Sequence, residues 1–572
     1  MTRPESTSDR GTFWSLGCAI IAVCLASIAV RLPPTPPRTG VTVHDSLRSI
    51  QSVAMRFNYS PVAHWGTDPL SYTQWSTHTN RLIPVYTFGT RSAGSGIDLS
   101  SFSGVHSVFR NRDALRKLYG RVPQTTHNPS ADYLDQTDLA HLQRNALAAG
   151  KKHIFLVVFD GMDWETTRAA AIYNSGRIYH SGRGSGLHFQ DYDADHTTQY
   201  GFTVTSPHHG GPCGDVDTQL LRIGGGRHFG GYDATQGGST PWSLAIQPHY
   251  LTGKTTPDAG REHVYPDSAA TATALVTGIK TYNGAINVDT TGAQLETVAH
   301  AAQGIGMSVG AVTSVPLSHA TPAAAYAHNV SRNDYQDLTR DLTGLASVSH
   351  TEFPLSGLDV LLGGGYGDTS EMSTRQGQNF VPGNIFITEH DISQLDSAQN
   401  PLGKYVVARR TPGRSGMQVL TAATRSAVMD RKRLLGIFGI GRYRGHLPYQ
   451  TADGDFQPVA GRSHAETYAD SELMENPTLA ALTSAAIDVL SQNERGFWLL
   501  VESGDVDWAN HDNNLDNSIG AVLSGDAAVR RITDWVDQHS DWNESLLIVT
   551  ADHGHYLILD QPSQLIRSST RR

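Results

Sequence analysis

The sequence predicts an α/β protein: a three-layer sandwich with a central, mostly parallel sheet flanked by helices. Three observations carry this expectation. Short runs that are apolar on both faces recur at His153–Phe159 (HIFLVVF), Phe497–Val501 (FWLLV) and Leu546–Thr550 (LLIVT), as strands buried under helices on both sides require. Helical patterns alternate with them, which is the signature of a parallel sheet. Each run also leads at its carboxyl end into carboxylates, imidazoles or hydroxyls, where open sheets of this type bind their ligands.

Taken in order, the chain of 572 residues opens with a charge-free stretch, Thr12–Val30, after Arg3 and Arg10. Its nineteen uncharged residues rise about 28 Å as a helix, barely a bilayer core. Ser27-Ile28-Ala29 has the small-x-small form of a cleavage site. Residues 1–37 therefore read as a signal peptide or N-terminal anchor followed by a Pro-rich spacer. Either reading exports the body of the chain to the periplasm, the medium or the outer face of a membrane. Residues 38–150 carry no assignable motif and read as an N-terminal extension of unknown role. Residues 151–572 form the expected catalytic domain, with 340–465 read as an insertion or cap. Helices are expected from about Trp164 to Ile172, over Asp267–Thr277 before the Gly278 stop, over Ala323–Val330, at Thr478–Leu490 and over Asp516–Gln538; further strands are expected at Ser308–Ser314 and Val360–Leu362.

Composition narrows the function. Charged residues make up 17% and the net charge is −10, which excludes a general nucleic-acid binder, because such a protein needs a basic face. A small anionic substrate remains compatible, since a bound metal or an Arg reverses the local sign. Of three cysteines, Cys18 and Cys24 lie in the apolar stretch and Cys213 has no CxxC partner. Neither a structural disulfide nor a thiolate metal site is expected.

The chemistry is carried by a set of residues beyond the strands: Asp160; Thr321; Glu502 with Asp507 and His511; Asp552 and His553. Asp507 and His511 are spaced i, i+4, so a helical turn faces both the same way. Hard oxygen donors mixed with imidazole suit zinc together with magnesium. Ser268, at a helix start, is the candidate nucleophile, since free N–H groups and the helix dipole favour a phosphoryl group there. Taken singly, Ser268 is a helix cap and each strand-end Asp is another.

At these residues the sequence resembles the alkaline phosphatases. Tyr265–Gly278 (YPDSAATATALVTG) is similar to their nucleophile segment, and FDGM at 159–162, HATPAAAYAHNVSR at 319–332, LLGGG at 361–365, VESGDVDWANH at 501–511 and VTADHGH at 549–555 follow in family order. The resemblance implies the family's fold and hydrolysis of small phosphate monoesters through a phosphoserine at Ser268. It implies two zinc ions and one magnesium, and it allows a homodimer. Asp160 would bridge a zinc and the magnesium; Asp552 and His553 would complete that zinc; Thr321 and Glu502 would join Asp160 at the magnesium. Asp507 and His511 would hold the other zinc, and Arg332 would clamp the phosphate.

The sequence departs from the pattern in places. His319 stands where some bacterial members carry Asp beside the magnesium, and Trp508 where Lys or His is frequent. The family's last zinc ligand, a His well beyond the ADH segment, finds no match in Gly554–Arg572, and His555 is a poor substitute for it. The C-terminal part of the fold therefore reads as missing, with its sheet edge bare, unless the N-terminal extension supplies it. The alternative expectation is a phosphate-binding or inactive homologue.

Overall fold

The computed structural model describes residues 46–566 except 76, 212, 223–227, 244, 246 and 252–262. The apolar stretch Thr12–Val30, with the signal, anchor and spacer readings, lies outside the described residues. Among those described, no helix is long and apolar enough to cross a membrane.

Ten strands make one sheet. In chain order they are β1 Ile83–Phe88, β2 Leu134–Asp135, β3 His153–Phe159, β4 Gln199–Val204, β5 Ser308–Pro316, β6 Val360–Gly364, β7 Tyr405–Arg409, β8 Arg433–Ile437, β9 Phe497–Ser503 and β10 Ser545–Ala551. Across the sheet they run β7-β8-β6-β5-β9-β3-β10-β1-β4-β2. All point the same way except β1, which is antiparallel to β10 and to β4.

The helices that matter for the site are α1 Gln136–Ala148, α2 Trp164–Ser175, α3 Ser268–Thr277, α4 Ala320–Ala324, α5 Tyr335–Thr343, α6 Leu479–Leu490, α7 Asp505–His511 and α8 Leu515–His539. Side chains alternate across a strand, so the continuous apolar run of β3 serves two cores. Ile154, Leu156 and Val158 pack with Leu139 and Leu142 of α1 and Leu275 of α3. Phe155, Val157 and Phe159 pack with Leu482 and Ile487 of α6 and Val529 and Ile532 of α8. This double burial is why these strands read as unbroken hydrophobic runs.

Two regions differ from expectation. Residues 340–465, read as an insertion or cap, contain β6, β7 and β8, which build one edge of the sheet. In the extension read at 38–150, the described residues 46–150 continue the sheet on its other side. Val85 of β1 pairs with Thr550 of β10, and Thr550 Oγ1 donates to Pro84 O at 3.0 Å, so the edge expected to be bare beyond β10 is covered. On α1, Gln143 Nε2 donates to Leu275 O at 3.0 Å and Gln143 Oε1 accepts from Trp498 Nε1 at 2.8 Å. The helix expected over Ala323–Val330 does not form: helix α4 lies earlier, at Ala320–Ala324, and the chain beyond it turns so that Asn329 bridges Ile286 in extended pairing.

Leu500, fully buried on β9, tests the two-core description. Leu500→Ala should destabilise the protein by about 2–5 kcal/mol, read as a lower urea midpoint with an unchanged slope.

Candidate active site

The carboxyl ends of the central strands converge on Ser268. Asp267 is the N-cap of α3 and its side chain accepts from Ala270 N; Ser268 is thus the first helical residue and its hydroxyl is not used in capping. That hydroxyl, 2% exposed with its residue, lies 3.5 Å from Asp160 Oδ1 and 3.2 Å from His553 Nε2. Asp160 follows β3, and His553 follows β10. His553 Nε2 is in turn 3.3 Å from Asp160 Oδ1 and 3.3 Å from Asp552 Oδ2. Gly161 N donates to Asp552 Oδ1 at 2.9 Å, and Gln136 Nε2 of α1 donates to the Asp552 carbonyl at 2.6 Å, which ties these strand ends together.

A second group stands beside the first. Asp507 and His511 share a face of α7, with Asp507 Oδ1 and His511 Nε2 3.5 Å apart. The third member was not singled out in the sequence: His78, just ahead of β1. Its Nε2 lies 3.0 Å from His511 Nε2 and 3.5 Å from Asp507 Oδ1. Its Nδ1 is 2.9 Å from the Pro266 carbonyl; a carbonyl only accepts, so Nδ1 carries the proton and Nε2 presents a lone pair. The His78 ring stacks on His553 at 3.7 Å between centroids. His555 Nε2 contacts Asp507 Oδ1 at 2.6 Å, and donor atoms of His78, Asp507, His553 and His555 lie within 4.8 Å of one another. The only signal for His78 in the sequence is a His at the mouth of an apolar run, and nothing local says where that run docks.

The third group is Asp160, His319 and Glu502, whose donor atoms lie within 4.8 Å of one another. Glu502 Oε1, Thr321 Oγ1 and His319 Nδ1 are buried without a hydrogen-bond partner among the described residues, a state that polar atoms rarely keep unless an ion or water meets them. Trp508 packs edge-on against His319 at 5.6 Å and under the Arg444 guanidinium. Arg332 Nη1 binds Asp267 Oδ2 at 3.0 Å, next to the start of α3. Burial works against its charge, but Asp267 holds its pKa above the ordinary value.

The electrostatics call for cations. Burial and the neighbouring Asp552, Asp507 and Glu502 push Asp160 well above the usual carboxylate range; burial raises Glu502 to about 8 and Asp552 to about 6. Asp507 is the exception: burial opposes its charge, yet His511, His555 and His78 hold it well below. Donor separations agree. Four tetrahedral bonds of about 2 Å set neighbouring donors roughly 3.3 Å apart. Asp507, His511 and His78 are mutually 3.0–3.5 Å apart, and Ser268, Asp160, Asp552 and His553 meet at 3.2–3.5 Å. These residues fit divalent metal ions. A cleft of about 530 Å³ lined by Arg444, Arg462, Trp508 and His511 opens beside them.

Metal-fitting carboxylates and imidazoles around a helix-terminal serine, at the carboxyl edge of a parallel sheet, define a class of metal-dependent hydrolytic sites. The comparisons narrow it. The family model for alkaline phosphatase matches residues 233–565, more than half of the chain, and the chain belongs to that family. The alkaline phosphatase of Escherichia fergusonii is 31% identical over 355 residues, 61% of this chain and 67% of that protein; that of Escherichia coli K12 is 31% identical over 330 residues, 56% of this chain and 63% of that protein. Alkaline phosphatase 4 of Bacillus subtilis is 31% identical over 294 residues, 50% of this chain and 49% of that protein. The chain thus spans about half to two thirds of these relatives' lengths. Among solved structures, the cold-active enzyme of a psychrophilic Shewanella aligns over 70% of this chain and 68% of its own at 25% identity, TM-score 0.42.

Behind α7, His446 lies between Glu466 and Asp505, at 3.0 and 2.8 Å. Burial disfavours its charge, but the two carboxylates outweigh it and raise its pKa from 6.5 to about 10. A raised histidine pKa stabilises the fold fully below the unfolded value, and the contribution is lost as pH climbs through the folded value. Unfolding free energy should therefore fall between about pH 7 and 10, and His446→Gln should remove that part of the fall, as urea titrations across the range would read.

Proposed function

We propose that the protein hydrolyses phosphate monoesters through a covalent phosphoserine at Ser268. The observation that carries this is the Ser268 hydroxyl, uncommitted to capping and within 3.2–3.5 Å of His553 and Asp160, among donors spaced for divalent ions. Asp552 and His553 with Asp160 would hold one zinc; Asp507, His511 and His78 the other; Asp160, Glu502 and Thr321, with His319 next to them, the magnesium. Bound there, the ions would lower the pKa of the Ser268 hydroxyl, offset the negative charge of the phosphoryl group and activate water.

The chain's own residues position the reaction. The N-terminus of α3 directs free backbone N–H groups toward an anion. Arg332, braced by Asp267, binds two phosphoryl oxygens. Ser268 gives its hydroxyl proton to solvent and its Oγ attacks phosphorus in line: the Oγ–P bond forms, the ester P–O bond breaks, and the departing alkoxide takes a proton from solvent. Water then attacks the same phosphorus: the new P–O bond forms, the Oγ–P bond breaks, and Ser268 Oγ regains a proton as phosphate leaves. The cleft along Arg444, Trp508 and His511 leaves room for the remainder of the ester. His78 weighs against the inactive-homologue reading, because it brings the Asp507 centre to the three protein ligands that a zinc site ordinarily needs. The charge-free segment at 12–30 supports export of the enzyme.

Two outcomes are expected. Ser268→Ala should lower p-nitrophenyl phosphate turnover by about a thousand-fold or more, and acid-quenched wild type should carry one phosphoryl group on the peptide containing Ser268 where the variant carries none; equal turnover in both would overturn the mechanism. His78→Ala should lose close to one zinc per chain by elemental analysis while keeping its circular dichroism.

A further inference from the structure

A second place in the molecule gathers metal-binding side chains and shares no residue with the active site. His328 lies in the loop between α4 and α5, Asp341 is on α5, and His350 is in the turn beyond it. One donor atom from each lies within 4.8 Å of the others. His328 and Asp341 are 6% and 1% exposed, and the His350 side chain is 10% exposed.

The hydrogen bonds set these groups in ligating form. His328 Nε2 is 2.8 Å from the Leu295 carbonyl and must donate to it, so Nδ1 holds the lone pair. Nδ1 is buried and has no partner among the described residues. A ring whose far nitrogen donates to a backbone carbonyl is the usual state of a metal-ligating histidine. The Asp341 carboxylate is oriented by its neighbours: Oδ2 accepts from His328 N at 2.9 Å, and Oδ1 accepts from Ser347 Oγ. His350 Nδ1 stands 3.0 Å from Asp341 Oδ1, close to the spacing of neighbouring donors around one small cation. His300 lies parallel to His328, 5.2 Å between centroids, but its Nδ1 accepts from Thr297 N at 3.2 Å, so its Nε2 carries the proton and offers no lone pair. Burial lowers the pKa of His328 and takes His300 to about 3, so both rings are neutral. The bare lone pair of His328 Nδ1 beside the buried Asp341 carboxylate is an unsatisfied acceptor, a costly state that a cation would relieve.

We propose that His328, Asp341 and His350 bind a divalent transition-metal ion, zinc by the character of the donors, at a site separate from the catalytic cluster. Its position gives it a role. His328 precedes Arg332 by four residues, and the intervening backbone is stitched to the segment after α3: Asn329 N donates to Ile286 O at 2.9 Å, and Arg332 N donates to Gly284 O at 2.8 Å. An ion on His328 fixes the root of the loop that presents the phosphate-binding arginine, holding it to α5.

The test counts metal. Full-length protein is loaded with zinc, freed of excess by gel filtration and analysed for zinc per chain. His350→Ala, on a surface turn, and Asp341→Asn, isosteric, should each bind one zinc fewer than wild type. Asp507→Asn should lose metal from the catalytic cluster, and the loss in the Asp507→Asn/His350→Ala double variant should be the sum of the two. Circular dichroism confirms that each variant is folded. Wild-type zinc content in both His350→Ala and Asp341→Asn, or a double variant that loses no more than Asp507→Asn alone, would overturn the proposal.

Discussion

The structure depends on the mutual repulsion of buried anions that the fold forces together. Asp160, Glu502 and Asp552 come from three adjacent strands of one parallel sheet, so strand pairing alone sets them side by side, and burial then removes the water that would screen them. Each is held above its ordinary pKa. Such an arrangement is costly without compensation, and the compensation available is positive charge from imidazoles, Arg332 and divalent ions. The same geometry that makes the site expensive makes it useful, because cations held by strand ends sit beside a helix N-terminus suited to a phosphoryl group.

His78 shows how much of this depends on the sheet and how little on chain order. It enters on the strand that closes the far side of β10, and β1 is the sheet's lone antiparallel member. Register fixes it: with Val85 opposite Thr550, the residues ahead of β1 run past the end of β10, where His553 and His555 follow. The centre needs an imidazole at a point in space, and a strand arriving from the opposite end of the sequence delivers it as well as one that follows β10. The Gln136 bond to the Asp552 carbonyl and the Gln143 bridge between α3 and Trp498 bind this segment into the catalytic core.

Legibility in the sequence followed burial. β3, β9 and β10 were readable because both faces meet helices, so no polar residue interrupts them, and the strand-end residues could then be placed by position alone. The i, i+4 spacing gave the shared face of Asp507 and His511, and Gly278 gave the end of α3. β7 and β8 went unread for a different reason: β7 lies at the sheet edge with half-exposed side chains, and the apolar runs of both (YVVA, LLGI) are short and lead into no chemistry-bearing residue of the site. His78 was hidden for another reason: its neighbours are more than four hundred residues away, and no local pattern encodes a long-range strand register. Asp341 and His350 were hidden in the same way, since helix and turn meet only after α5 docks.

The most direct check of the central claim is a crystal structure of the zinc-loaded protein with anomalous scattering measured at the zinc edge. The account predicts two strong peaks flanking the Ser268 hydroxyl, one within coordination distance of Asp552 and His553 and the other touching Asp507, His511 and His78. A map with no peak beside Ser268, or with His78 turned away from a zinc held by Asp507 and His511, would contradict it.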